Sequence, residues 1–126
     1  MNGLHLSAEF HDCCCAASLL SDEAALREGA TRAVRAARLN AVGQVFHRFG
    51  DTDGHAGGVT GVVLLAESHL ALHTWPELGT VTLDVYVCNR SADHSHQARQ
   101  VMATMQALFA PERIEQREIS RGAVAA

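Results

Sequence analysis

Polar and apolar residues alternate near the start of the chain, over residues 4–10. A period of two places successive side chains on opposite faces, so this pattern predicts a β-strand with one apolar face. Further strands are predicted over 42–49 and 81–88, followed by a short charged edge strand over 113–119. The nearly continuous apolar run 59–66 predicts a central strand that is buried on both faces.

Two other segments repeat their apolar residues at helical spacing. Ser21 is predicted to cap the first helix, and Asn40 is predicted to end it. Ser91 or Asp93 is predicted to open the second helix, and Pro111 to end it. The apolar stripe of the first helix is Leu26, Ala30, Ala33, Val34 and Ala37, and that of the second is Ala98, Val101, Met102, Met105, Leu108 and Phe109.

The predicted order of the elements is β-α-β-β-β-β-α-β. Two helices on one face of a mostly antiparallel sheet would form a two-layer α+β sandwich. The 126 residues, 48% of them hydrophobic, are expected to form a single domain over 1–126. The glycine-rich segment 50–58 is predicted to be a flexible loop.

The charge and composition argue against several classes of function. Ten basic and 14 acidic residues give a formal net charge of -4, and no basic cluster suggests a nucleic-acid partner. No apolar run is long enough to span a bilayer, and no signal peptide is recognised. We therefore expect a cytoplasmic protein.

The cysteine and histidine patterns do not predict a metal site. The adjacent cysteines 13–15 lack the spacing of zinc ligands and are poor disulfide partners, so we expect reduced thiols. His69 and His73 are four residues apart, and His94 and His96 two apart, but no carboxylate or cysteine accompanies either pair at ligand spacing. No bound metal is expected.

The residues with the clearest chemical character lie in the stretch 67–77, with Cys88 on the following strand. Ser68 directly follows Glu67, and His73 comes five residues later. Ser68 lacks the Gly-x-Ser-x-Gly surroundings of a nucleophile elbow, so a Ser/His/Asp hydrolase is not predicted. Each of these residues alone also fits an ordinary structural role, and the signal lies in their combined spacing.

The motifs of this chain are Gly3-Leu4-His5-Leu6, Phe46-His47-Arg48-Phe49, Glu67-Ser68-His69, His73-Thr74-Trp75-Pro76-Glu77, Asp84-Val85-Tyr86-Val87-Cys88 and Arg121-Gly122. Together they resemble the prokaryotic S-adenosylmethionine decarboxylase proenzyme family, whose members are small, self-processing pyruvoyl enzymes of polyamine synthesis. The resemblance covers most of the chain. It implies that the chain decarboxylates S-adenosylmethionine and so makes the aminopropyl donor for spermidine.

The resemblance also implies a role for each catalytic residue. Ser68 attacks the carbonyl of Glu67, His73 removes the α-proton, and the chain splits into fragments 1–67 and 68–126. The former serine becomes an N-terminal pyruvoyl group, the covalent cofactor, which forms a Schiff base with the substrate and accepts electrons as CO2 departs. Cys88 then donates a proton to the product, a role that a thiol suits because its pKa shifts readily.

The same resemblance assigns substrate contacts. Phe49 would stack on the adenine, Glu77 would hold the ribose hydroxyls, and the hydroxyl of Thr60 would assist processing. The loop 50–58 is longer than the family's usual connection, and Asn89-Arg90 stands where the family more often has glycine. These departures leave a decarboxylase of ornithine or arginine as an alternative, and an unprocessed, non-catalytic binding module as a third hypothesis.

A distance argument predicts a homodimer. If Ser68 and His73 lie on one extended strand, five steps of about 3.3 Å separate them by about 16 Å, and they face opposite sides. Proton transfer needs hydrogen-bond reach, about 3 Å, so a second copy related by a two-fold axis would have to supply one of them. In each composite site, one chain would contribute Ser68 and Cys88, and its partner His73, Phe49, Thr60 and Glu77.

Overall fold

The computed structural model describes residues 2–90 and 92–122, and within these ranges it contains six strands and two helices. The strands are β1 (Asn2–Cys13), β2 (Ala41–Arg48), β3 (Val59–Leu65), β4 (Ser68–Trp75), β5 (Thr80–Cys88) and β6 (Pro111–Gly122). The helices are α1 (Glu23–Ala36) and α2 (Ser95–Phe109), and short 3₁₀ turns cover Ala17–Ser21 and Pro76–Leu78. The predicted order of strands and helices is confirmed.

The six strands form one sheet in the order β2-β3-β4-β5-β1-β6. Each neighbouring pair in the described part of the chain is antiparallel, and both helices pack on one face, so the predicted two-layer α+β sandwich is confirmed. The strand β4, with the candidate residues at its two ends, lies inside the sheet between β3 and β5. The charged strand β6 is an edge strand, as predicted.

The hydrophobic core lies between the sheet and the two helices. Alternate residues of each inner strand point into it, and the predicted helical stripes meet them there. Its buried side chains include Leu6, Phe10, Leu26, Val34, Leu70, Leu72, Leu83, Val85, Val101, Met105 and Phe109. Burying one leucine or phenylalanine contributes roughly 1.5–3 kcal/mol, so this layer fixes which face of β4 points inward.

Thr74 ties the end of β4 to the helical layer. Its side chain is 5% exposed, and its hydroxyl oxygen accepts a hydrogen bond from the backbone N–H of Val59 at 2.8 Å. The same hydroxyl donates to the backbone carbonyl of Leu20 at 2.6 Å. These two bonds hold the strand ends near the 3₁₀ turn in place.

The opposite face of the sheet is not covered by the helices, and we call it the open face. Its residues include His5, Val45, Thr60, Leu64, His69, Ala71, His73, Asp84 and Tyr86. It mixes polar groups, such as the His5 Nε2–Asp84 Oδ1 pair at 2.8 Å, with exposed apolar side chains. Val45 is 64% exposed and Leu64 44% exposed.

The helix ends differ from the predictions. Ser21 ends a 3₁₀ turn, and the cap of α1 is Asp22, whose carboxylate accepts a hydrogen bond from the N–H of Ala25 at 3.0 Å. The helix ends at Ala36, before the predicted stop at Asn40, because the chain turns through a positive φ at residue 38.

The start of α2 also differs. This helix begins at Ser95 with His94 at its N-cap, while the carboxylate of Asp93 accepts from the N–H of Ser95 at 2.9 Å. The alternative start, Ser91, lies outside the described residues.

Two strand predictions were also incomplete. The strand β3 is buried on one face only, since Val59 and Val63 are buried while Leu64 is exposed. The strand β6 extends beyond the predicted 113–119 at both ends, because it pairs with nearly the whole length of β1. No helix in the described ranges is both long enough and apolar enough to cross a membrane.

Candidate active site

The first group of candidate residues lies at the turn between β3 and β4. Leu65 pairs with Ser68, so only Ala66 and Glu67 form the turn. Glu67 has φ of 62°, in the left-handed region that non-glycine residues seldom adopt. This conformation costs a non-glycine residue roughly 1–2 kcal/mol, so the backbone just before Ser68 is strained.

Ser68 and Cys88 are brought together at this end of the sheet. The Ser68 Oγ accepts a hydrogen bond from the backbone N–H of Cys88 at 3.0 Å. The two residues are 20 positions apart in the chain, and the antiparallel register of β4 and β5, with His69 opposite Tyr86, makes them neighbours. Cys88 was predicted to lie on the less apolar face of its strand, yet it is only 8% exposed.

A cavity of about 470 Å³ opens beside these residues. It is lined by Ala66, Glu67, Cys88, Arg90 and His94. Its wall therefore contains the residue before Ser68, the candidate proton donor, Arg90 and His94. A ligand in this cavity would lie next to the Glu67-Ser68 peptide bond.

Asn89 fixes the segment that carries His94. Its side-chain oxygen accepts a hydrogen bond from the N–H of His94 at 2.8 Å, and its amide nitrogen donates to Ser95 Oγ at 3.1 Å. In the sequence, Asn89 and Arg90 stand out as departures from the family. His94 was not predicted to lie in the site, since its spacing from His96 suggested only a metal-ligand pair. Its nearness to Cys88 requires the fold of the turn before α2.

The second group of candidate residues lies at the opposite end of β4. His73 pairs across the sheet with Thr60 on β3, and His73 Nδ1 and Thr60 Oγ1 share a hydrogen bond of 3.0 Å. The Trp75 ring lies 6.0 Å from the His73 ring, between centroids. The hydrogen bond fixes one ring nitrogen of His73, which leaves Nε2 as the nitrogen able to exchange a proton.

Phe49 and Glu77 share a cavity of about 340 Å³ near this second group. Phe49 follows β2 and is 52% exposed, and its ring lies 4.7 Å from the His47 ring, between centroids, at an angle of 79°. Glu77 lies in the 3₁₀ turn after β4. The rest of the lining comes from the loop 50–58, so this loop is part of the candidate site. An exposed aromatic ring and a carboxylate that line one cavity suit a nucleoside, whose base can stack and whose hydroxyls can donate.

Within one protomer the two groups stay apart. The strand β4 runs without a break from Ser68 to Trp75, so Ser68 and His73 are separated by about 16 Å. His73 points to the open face, while Ser68 shares the alternation of Leu70 and Leu72 on the core face. The extended strand assumed in the distance argument is therefore present.

A known protein family matches most of this chain. The model of the family described as S-adenosylmethionine decarboxylase matches the chain over residues 4–122. The chain belongs to the S-adenosylmethionine decarboxylase family. This match confirms the family that the sequence motifs indicated.

Several S-adenosylmethionine decarboxylase relatives support the assignment. The chain is 42% identical to the S-adenosylmethionine decarboxylase proenzyme of Synechococcus sp. (strain WH7803), over 75% of this chain and 66% of that protein. It is 34% identical to the proenzyme of the same description from Acidithiobacillus ferrooxidans (strain ATCC 53993 / BNL-5-31), over 97% of this chain and 84% of that protein. The match to the Synechococcus protein thus spans just under two thirds of that relative's length.

A solved structure gives the same picture for the fold. The crystal structure of the adenosylmethionine decarboxylase from Aquifex aeolicus VF5 matches this chain with a TM-score of 0.84 and 33% identity. The match covers 98% of this chain and 92% of that one.

One group of possible metal ligands forms on the open face, within the ranges that the structure describes. Atoms of Glu9, His11 and Glu115 lie within 4.8 Å of one another. Arg117 lies 3.6 Å from Glu9 and Arg113 lies 3.2 Å from Glu115, so both carboxylates already have cationic partners. This group could not be predicted from the sequence, because it depends on the register between β1 and β6.

Proposed function

We propose that the protein is a pyruvoyl-dependent carboxy-lyase that decarboxylates S-adenosylmethionine. The product would be decarboxylated S-adenosylmethionine, the aminopropyl donor for spermidine. The proposal depends most on the position of Ser68, which follows a strained residue at a hairpin turn with its hydroxyl beside Cys88, in a chain of this family. The relatives reported above are all named for this one substrate.

The surroundings of Ser68 fit the formation of a pyruvoyl group from this residue. Such a site needs a serine next to a reactive carbonyl, and a fold that still holds the serine after the chain is cut. Ser68 is the first residue of β4, where pairing with β3 and the hydrogen bond from Cys88 hold it. The pyruvoyl group supplies a ketone that accepts the electron pair released as CO2 departs.

Self-cleavage would begin with an N-to-O acyl shift. Ser68 Oγ attacks the carbonyl carbon of Glu67, the hydroxyl proton passes to the amide nitrogen as the C–N bond breaks, and an ester forms. Removal of the α-proton of Ser68 then expels the Glu67 carboxylate and leaves a dehydroalanine, whose hydrolysis releases ammonia and gives the pyruvoyl ketone. The Cys88 N–H occupies one lone pair of Oγ, so the other lone pair is available for attack and the hydroxyl proton can leave. Cleavage frees Glu67 from its left-handed conformation, so the strain at φ of 62° favours the reaction.

The base, His73, would come from a second copy of the chain. The open face, half polar and with exposed Val45 and Leu64, is the surface that a twin would cover. A two-fold axis then creates two composite sites. Each would combine Ser68 and Cys88 of one protomer with His73, Thr60, Phe49 and Glu77 of the other. The Thr60 hydroxyl would hold the imidazole so that Nε2 takes the α-proton of Ser68.

The remaining candidate residues would act on the substrate. The Phe49 ring would stack on the adenine and the Glu77 carboxylate would accept hydrogen bonds from the ribose hydroxyls. Cys88, in the wall of the cavity beside Ser68, would return a proton to the carbon that lost CO2.

One feature of the site weighs against ornithine or arginine as the substrate. The cavity that contains Phe49 and Glu77 suits a nucleoside, and neither ornithine nor arginine carries one. The sulfonium of S-adenosylmethionine, by contrast, is attached to a nucleoside that the Phe49 and Glu77 cavity can hold.

The proposal also places the protein in the cytoplasm. Cys13, Cys14, Cys15 and Cys88 are all free thiols, and reduced cysteines are typical of that compartment.

Two measurements on the purified protein test the proposal. Intact mass spectrometry should find fragments of 67 and 126 − 67 = 59 residues. The second fragment should be lighter, by the mass of ammonia, than the same fragment with an N-terminal serine. Release of CO2 should be observed with S-adenosylmethionine and not with ornithine or arginine. A chain that stays uncut under all conditions would instead support the non-catalytic binding module.

A further inference from the structure

The loop 50–58 is folded around a tight turn and has a defined conformation. The backbones of Thr52 and His55 exchange two hydrogen bonds, at 3.0 and 2.9 Å. Between them, Asp53 has φ of 52° and Gly54 φ of 78°. Positive φ at both central residues is the geometry that Asp-Gly favours in the tightest hairpins. His55 is therefore held at a fixed place on a short hairpin.

Further contacts fasten this hairpin to the end of β2. The Asp51 carboxylate accepts hydrogen bonds from Arg48 Nη2 at 2.8 Å and from the N–H of Gly57 at 3.0 Å. The bond from Gly57, followed by the guanidinium of Arg48, lowers the pKa of Asp51, so this carboxylate stays ionised at neutral pH. Phe49 N–H donates to the carbonyl of Gly58 at 2.9 Å and closes the loop.

Gly57 is needed for this packing. A Cβ at this position would lie 1.9 Å from the carbonyl oxygen of Phe49, which is far inside contact distance. The loop 50–58 therefore packs directly against the backbone of Phe49, the aromatic residue of the candidate site.

His55 occupies a position shared by two cavities. The first, of about 340 Å³, contains Phe49 and Glu77, and the second, of about 380 Å³, contains Ser21 and Glu77. Both cavities are lined by His55 and Glu77. His55 therefore lines the same pocket as the two residues that suit a nucleoside, Phe49 and Glu77.

We propose that His55 is a specificity-determining residue that recognises the nucleoside end of the substrate, from a loop folded before the substrate binds. This inference rests on the proposed function, since it takes the substrate to be S-adenosylmethionine. An imidazole offers a donor and an acceptor at its two nitrogens, and so complements the edge of a purine or a ribose hydroxyl. Phe49 offers only a ring face and Glu77 only acceptors, and the hydroxyl of Thr52, the other side-chain donor of the lining, already donates to the carbonyl of Gly50 at 3.5 Å. His55 therefore adds a ring donor to the pocket.

The test compares four forms of the full-length, self-processed protein: wild type, His55→Ala, His55→Gln and His96→Ala. His96 is an exposed histidine on α2 that lines neither cavity, so its variant is the matched control. Each form is assayed for cleavage, for kcat and KM with S-adenosylmethionine, and for the Kd of 5′-methylthioadenosine. That probe keeps the nucleoside and lacks the amino-acid end.

We expect His55→Ala to raise the KM and the Kd by about tenfold, the effect of losing one good hydrogen bond, while cleavage and kcat change less than about twofold. His55→Gln, which keeps a donor and an acceptor, should recover most of the affinity, and His96→Ala should match the wild type. An active wild type with unchanged KM and Kd in His55→Ala would overturn the role of His55 alone. A wild type that releases no CO2 from S-adenosylmethionine would overturn the proposed function and this inference together.

Discussion

The proposed division of the candidate site between two protomers predicts complementation between two inactive variants. Ser68→Ala lacks the attacking hydroxyl, and His73→Ala lacks the base. Either variant alone should stay uncut, since each site in its homodimer misses one of the two groups. When both are produced together, a mixed dimer has one complete site, formed by Ser68 of the His73→Ala chain and His73 of the Ser68→Ala chain.

The size of the effect follows from the strand geometry. Within one chain the two side chains are about 16 Å apart on opposite faces of β4, far beyond the hydrogen-bond reach of about 3 Å that proton transfer needs. Complementation can therefore occur only across the dimer. With equal amounts and random pairing, about half of the His73→Ala chains lie in mixed dimers, so about half is the largest cleaved fraction.

The assay uses two affinity tags and intact mass spectrometry. Sequential purification on both tags isolates mixed dimers, in which the His73→Ala chain should be cut and the Ser68→Ala chain intact. Pairing two differently tagged His73→Ala chains provides the control, which should show no cleavage. The reasoning is refuted if isolated mixed dimers stay uncut, or if His73→Ala cuts itself when it is alone.

Three further outcomes follow from the described contacts. Cys88→Ala keeps the backbone N–H that holds Ser68 and loses the thiol, so cleavage should persist while single-turnover decarboxylation slows about 10²–10⁴-fold; an unchanged rate would mean that another group donates the proton. Thr74→Val leaves two buried backbone groups without their partner, which should lower the free energy of unfolding by about 2–4 kcal/mol in urea titrations of the uncut Ser68→Ala form. Thr80 is partly exposed, so Thr80→Val is the control for Thr74→Val and should change the free energy of unfolding by less than about 0.5 kcal/mol. Burial raises the pKa of Cys13 to about 11, so only about one in a thousand of these thiols is ionised at pH 8. Labelling of Cys13 by iodoacetamide, measured by mass spectrometry, should therefore be slow until the pH approaches about 11.

Much of the fold could be predicted because local patterns and tertiary packing agree. The alternation around Leu70 and Leu83 identified the inward face of each strand, and the spacing of Leu26 and Val34 identified the inward face of α1. These are positions where burial alone decides the conformation. The run 59–66 misled the prediction because its outward residues, such as Leu64, are apolar without being covered in one protomer.

The site was predicted less completely, because part of it depends on contacts between distant segments. Ser68, His73 and Cys88 were predicted from their spacing and stay predictions, and the structure brings Ser68 and Cys88 together at one end of β4 while His73 lies near the other. His94 and His55 were missed, since one is positioned by the amide of a loop residue and the other by a hairpin that composition marked only as flexible. Neither histidine belongs to a periodic pattern of residues in the sequence.

The order of strands in the sheet has a consequence for the proposed cleavage. Residues 1–67 contribute β1, β2 and β3, and residues 68–126 contribute β4, β5 and β6. In the sheet, β1 lies between β5 and β6, and β3 pairs with β4. Three of the five strand pairings therefore join one fragment to the other. Cleavage in the β3–β4 hairpin would leave two fragments that share one sheet. They could separate only if the sheet unfolded. The uncut precursor should therefore refold in a unimolecular reaction, whereas the mature form, once denatured, would have to reassemble from two molecules at a rate set by their concentration.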